Sequence, residues 1–194
     1  MKTNKQRIAQ ITGIGLLTAI VIVLQLLGSF IHVGIFSISL VLLPIVVGAA
    51  LYGVGAGAWL GCAFGITVLL SGDAALFLAI NIPGTIITVL AKGILAGLLA
   101  GLTYQAVAKK NRVLATICAA VVCPVVNTGV FLAGCAVFFM DTMRLWANGG
   151  NVVAFMIVGL VGVNFLAELA INLVFSPTVV HLINIGKKQF ARNR

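Results

Sequence analysis

The chain has 194 residues, of which 62% are hydrophobic and 8% charged, against roughly 25% charged in an ordinary soluble domain. That excess of apolar surface excludes a soluble fold, and at about 20 residues per helical crossing the length allows six or seven crossings in one bundle with no second, soluble domain. The net charge of +9 does not indicate a nucleic-acid partner, because the basic residues flank the apolar stretches as membrane-topology signals do.

Hydropathy predicts an all-α bundle of six transmembrane helices, over residues 8–28, 38–54, 56–71, 83–107, 113–138 and 152–185. The first stretch, Ile8 to Gly28, is too long for the apolar region of a signal peptide and ends without a small-x-small cleavage site, so it reads as a retained helix. Its small residues fall into two pairs four apart, Ala9/Gly13 and Gly15/Ala19, either of which offers a face for close helix contact. The second and third spans are short and joined by a brief glycine-rich turn from Tyr52 to Ala58, which suggests a tight helical hairpin. Gly53, Gly57, Gly61 and Gly65 recur every fourth residue, and Gly93, Gly97 and Gly101 repeat the series in the fourth span. Such spacing puts glycine on one helix face and lets another backbone approach, which reads as internal packing. The four cysteines all lie in apolar stretches and form no C-x-x-C pair, so neither a disulfide framework nor a metal site is indicated.

Orientation follows from Lys and Arg near the span ends. Lys2, Lys5 and Arg7 precede the first span, Lys109, Lys110 and Arg112 separate the fourth from the fifth, and Lys187, Lys188, Arg192 and Arg194 follow the sixth. An even number of spans places these groups on one side, the cytoplasm, together with both chain ends; only Arg144 falls in a loop opposite.

Two charged residues lie well inside spans, Lys92 and Glu168. A mid-membrane charge costs several kcal/mol on insertion scales, so such groups face the bundle interior and find partners there. Counting about 1.5 Å per residue from the outer face puts Lys92 roughly 13 Å deep and Glu168 roughly 25 Å deep, an offset that weakens a direct pair. Asn164 and Asn172 flank Glu168 at one-turn intervals. Asn127 and Thr128 follow Pro124, whose ring frees a backbone carbonyl of the fifth span. One reading is a structural ion pair with asparagines as interhelical glue. The other is a polar pocket for a small water-soluble ligand, between the last three spans and open to the outside. Pro177 and His181 read as a kink and an interfacial side chain.

The segment from Gly72 to Pro83 is apolar, with Phe77 at its middle, and is bounded by Asp73 and Asn81. It reads either as a lid over the pocket mouth or as a helix resting on the membrane surface.

No membrane-enzyme motif is present, and three acidic residues in the whole chain leave little for acid–base catalysis. Neither a channel filter nor an internal repeat is evident. Binding is therefore the expected activity, with no catalytic residue, no cofactor and no metal. The competing readings are an autonomous carrier using Glu168 as a proton site and an assembly subunit that binds only other helices.

At this point the chain resembles the substrate-binding (S) components of the energy-coupling factor vitamin transporters of bacteria. The likeness runs over nearly the whole chain and is most sequence-like in Leu43-Pro44-Ile45-Val46-Val47-Gly48-Ala49-Ala50-Leu51-Tyr52-Gly53, Gly72-Asp73-Ala74 and Pro124-Val125-Val126-Asn127-Thr128-Gly129. The resemblance implies a vitamin-binding subunit of the bacterial cell membrane, among lipid, that joins a transmembrane coupling protein and two cytoplasmic ATPases. It implies that a small-residue face of the first helix meets the coupling protein, here Ala9/Gly13 or Gly15/Ala19. It also implies a ligand site toward the outer side, for which the candidates are Lys92, Asn127, Thr128, Asn164 and Glu168, with Phe77 and Asn81 from the covering loop. Lys92 would neutralise a carboxylate while the amides and Glu168 meet hydroxyls or amides. Pantothenate suits that set best, riboflavin next with Phe77 or Phe131 covering its ring, and folate after them.

Overall fold

The computed structural model describes residues 4–30, 32–33, 36–37 and 40–192, with side chains for residues 4–30 and 40–186. Lys2 and Arg194, read as topology signals, lie outside the described residues, as do the side chains of Lys187, Lys188 and Arg192. Nearly everything described is helix. The elements are α1 (Asn4–Gly28), α2 (Leu42–Tyr52), α3 (Val54–Ser71), α4 (Ala75–Ile80), α5 (Ile82–Ala108), α6 (Arg112–Phe138), α7 (Met140–Trp146), α8 (Val152–Ala154) and α9 (Gly162–Arg192). A small antiparallel ribbon pairs His32–Val33 with Phe36–Ser37 between α1 and α2.

Five of these helices, α1, α3, α5, α6 and α9, are long and apolar enough to cross a membrane. The sixth expected span is different. α2 has only 11 residues, about 16 Å at 1.5 Å per residue, roughly half of a bilayer core. It is apolar on every side, and eight of its residues are buried, as a helix enclosed by others must be. It packs against α1, α3, α5, α6 and α9. Spans two and three form the expected tight hairpin, Gly57 lying against Ala49 and Gly48 against Leu60, and the other helices enclose its α2 arm.

A single residue, Gly53, separates α2 from α3, at φ +100°. Only glycine enters that region without strain, so the chain reverses there in the least possible length. Gly72 closes α3 in the same way, at φ +91°.

The glycine series forms a seam. A Cβ on Gly57 would overlap the carbonyl of Gly97, one on Gly61 the carbonyl of Gly93, and one on Gly65 would press on Val89, with the first two clashes reciprocal. α3 and α5 therefore run antiparallel with their backbones in contact, which the absent side chains permit.

The start of α1 and the later part of α9 belong to one end of the bundle. Near the start of α1, Gln10 donates to the carbonyl of Tyr52 at 3.4 Å, and a Cβ on Gly13 would collide with the Tyr52 ring. Gly186 in α9 lies against Leu51. The opposite end carries α4, α7 and α8. The expected single helix over 152–185 is interrupted there: α8 passes into a π-helical stretch, Phe155–Leu160, and α9 begins after Val161. Such wide turns recur at functional sites.

Candidate functional site

In the half of the bundle that α2 does not line, the other helices enclose a cavity of about 70 Å³. Its wall is drawn from α1 (Gln25), α3 (Phe64), α5 (Thr85, Thr88, Lys92), α6 (Asn127, Thr128, Phe131) and α9 (Asn164, Glu168), and no residue of α2 contributes.

The mouth is covered by the turn before α4 and by α4 itself, which supply Asp73, Ala74 and Phe77. Of the two readings of this segment, a cover over the pocket fits. Phe77 is 4% exposed, and its ring makes edge-on contacts with Phe131 at 5.5 Å, Phe139 at 5.1 Å and Trp146 at 5.9 Å. Each such pair contributes about 0.5–1.5 kcal/mol beyond burial. Together they tie α4 to α6 and α7.

Lys92 is half-buried, and its ammonium lies over the rings of Phe64 at 5.5 Å and Phe131 at 5.4 Å. Both rings line the cavity, so the cavity is what the ammonium meets. Glu168, 3% exposed, accepts from Asn164 Nδ2 at 3.3 Å. Lys92 and Glu168 line one cavity but form no ion pair; the pair found among the described residues is Arg144 with Asp141, at 3.3 Å on the surface. The structural ion pair that the sequence left open is therefore not formed. Glu168 and Asp73 are the carboxylates near enough to act on the lysine's charge.

Three polar atoms on cavity-lining residues are buried with no hydrogen-bond partner: Thr88 Oγ1, Asn127 Oδ1 and Asn164 Oδ1. Buried polar groups in folded proteins are paired in the great majority of cases. Leaving one unpaired costs about 1–3 kcal/mol. Three such atoms and a lysine that lacks an ion pair lie around this one cavity.

Six of the seven candidate ligand residues thus come together: Lys92, Asn127, Thr128, Asn164, Glu168 and Phe77. Asn81 does not. It is the N-cap of α5, its Oδ1 accepting from Gly84 N at 3.0 Å, and its place is a surface groove outside the cavity. Asn172 also turns away, donating to the carbonyl of Glu168 at 2.8 Å within α9. Unforeseen members of the wall are Gln25, Asp73, Thr85 and Thr88. The threonines had a signal, since Thr85, Thr88 and Lys92 share one face of α5 at intervals of three and four.

The two small-residue pairs of α1 point in different directions. Gly13 abuts Tyr52, so Ala9/Gly13 is an internal contact, whereas a Cβ on Gly15 would meet nothing within 4 Å, and Gly15 is exposed together with Ala19.

Residues 9–180 match the family model described as "ECF transporter, substrate-specific component". No curated protein and no solved structure matches the chain.

Proposed function

The chain belongs to the ECF-transporter substrate-specific components, and from that premise we propose that it is the high-affinity binding subunit for a water-soluble vitamin that carries a carboxylate. Members of this family are membrane-embedded transporter subunits, not enzymes; they take up a small molecule and associate with ECF coupling components. The observation that carries the vitamin reading is the cavity wall: an ammonium without an ion pair beside three unpartnered polar atoms. A carboxylate on the ligand meets Lys92, and its hydroxyls or amides meet Asn127, Thr128, Asn164 and Glu168. Pantothenate, with one carboxylate, one amide and two hydroxyls, is the first candidate, riboflavin the second and folate the third.

In this reading the protein sits in a bacterial plasma membrane with the cavity toward the outside. Lys5, Arg7, Lys109, Lys110 and Arg112 gather at the opposite end, which supports a cytoplasmic position for that end and for both termini. A transmembrane coupling protein docks on the open Gly15/Ala19 face of α1, and two cytoplasmic ATPases drive the cycle. The test is isothermal titration of the detergent-purified chain with pantothenate and riboflavin, paired with uptake assays in liposomes. Saturable binding without uptake by the isolated chain is expected. Uptake by the chain alone, driven by a proton gradient, would refute the subunit role in favour of an autonomous carrier.

A further inference from the structure

At the end of the bundle away from the cavity, the α2–α3 turn and the corner between α5 and α6 face each other across a groove of about 460 Å³, whose cationic lining is Lys109 and Arg112. Its walls stand close, with the Gln105 amide nitrogen 3.8 Å from where a Cβ on Gly53 would lie. Lys109 and Arg112 are exposed, and no acidic side chain lines the groove. The chain has three acidic residues; Asp73 and Glu168 line the cavity, and Asp141 pairs with Arg144. Arg112 also opens α6, whose first turn holds no acid, although a helix N-terminus favours an anion over a cation. Two positive charges therefore share a groove in which the chain supplies no side-chain counter-charge.

α5 has 27 residues, about 40 Å at 1.5 Å per residue, against about 30 Å of bilayer hydrocarbon. Lys109, directly after it, thus reaches the headgroup level. Just inside that level both helices turn apolar side chains outward. Leu102, two turns before Lys109 on one face of α5, is 46% exposed, and Val113 and Leu114, following Arg112 in α6, are 49% and 50% exposed. Cations at headgroup depth beside lipid-facing apolar surface fit a molecule with a phosphate and acyl chains. The N–H groups of lysine, arginine and glutamine are donors suited to phosphate oxygens. Membrane topology asks only for positive charge in this loop; it does not ask for a groove.

We infer that this groove binds the phosphate of an anionic phospholipid through Lys109 and Arg112, with Gln105 beside them. The site is separate from the cavity and holds whether or not the cavity takes a vitamin.

The experiment is native mass spectrometry of the full detergent-purified chain titrated with phosphatidylglycerol and with phosphatidylcholine of the same acyl chains. Each basic residue contributes about fivefold toward an anionic lipid, so the wild type is expected to bind phosphatidylglycerol about 30-fold more tightly than phosphatidylcholine. In Lys109→Gln/Arg112→Gln the preference should fall to within about threefold. Should that variant not accumulate in the membrane, Arg112→Gln alone is expected to lower it to about fivefold. Lys5→Gln/Arg7→Gln removes the same charge from the same end but outside the groove, and should keep the preference above about tenfold. An equal loss in that variant would overturn the assignment, leaving a diffuse field and no site, as would a wild type without preference. Displacement of phosphatidylglycerol by millimolar inorganic phosphate at constant ionic strength would overturn the lipid source in favour of a soluble phosphate. An unchanged preference in the folded groove variant would also overturn it; if that variant then fails to co-purify with the coupling components, the groove belongs to an acidic segment of a partner.

Discussion

Replacing Lys92 by methionine separates the two uses of a charge in the membrane. The substitution keeps an unbranched apolar stem, one atom shorter, near Phe64 and Phe131 while removing the ammonium over both rings. If Lys92 held Glu168 in a structural pair, losing one partner of a buried pair would cost about 3–5 kcal/mol. At about 2–4 °C per kcal/mol for a chain of this size, that is a fall of roughly 6–20 °C in melting temperature. The two residues line one cavity without pairing. What the variant loses is two cation–π contacts, about 0.5–2 kcal/mol each, offset by relief from holding a charge away from water. The expected change in melting temperature in detergent is therefore within about 4 °C either way. Binding responds differently, because a charge-assisted contact to a carboxylate contributes about 1.5–3 kcal/mol, so affinity for pantothenate should drop about 10- to 150-fold. Thermal denaturation and titration calorimetry on one preparation read both quantities. A melting temperature lowered by about 10 °C or more, with affinity intact, would refute the reasoning and return Lys92 to a structural role.

The remaining predictions concern the scaffold. Gly15→Leu should leave folding and ligand binding unchanged yet block co-purification with the coupling protein, because the position is open; Gly13→Leu should instead lower thermal stability, since its side chain would strike Tyr52. Asn81→Ala should cost about 0.5–2 kcal/mol of stability through the lost cap on α5 and leave affinity unchanged, which melting and titration together check. Gly61→Leu should destabilise by at least the roughly 1–3 kcal/mol usual for overpacking, seen as loss of the monodisperse peak in size-exclusion chromatography, because the opposing group is the backbone of Gly93.

How much of this was legible in the sequence differs from element to element. The long helices declare themselves by continuous apolar character, and the seam by glycine at every fourth position, since both signals are local. α2 lies within the expected second span, but its 11-residue length and its burial were not legible, because hydropathy reports that a stretch is apolar and not whether lipid or protein surrounds it. The polar wall was readable from Lys92, Asn127, Asn164 and Glu168, because intramembrane polarity needs a reason. Asn81 resembled them, yet it stands directly before Ile-Pro-Gly at the start of α5, where a cap satisfies it locally. Asp73 and Gln25 became a pair only in the fold, 48 residues apart along the chain. The interruption at Val161 was hidden because a π-helical turn and an α-helical one share the same composition.

The central claim is that the cavity holds a vitamin, and native mass spectrometry of the detergent-purified protein tests it most directly. A tightly bound ligand survives purification, and its mass identifies it. The account predicts one co-purified molecule per chain, with the mass of a carboxylate-bearing vitamin, absent from the Lys92→Met variant. A wild-type protein that is empty and stays empty after incubation with pantothenate, riboflavin and folate would contradict it.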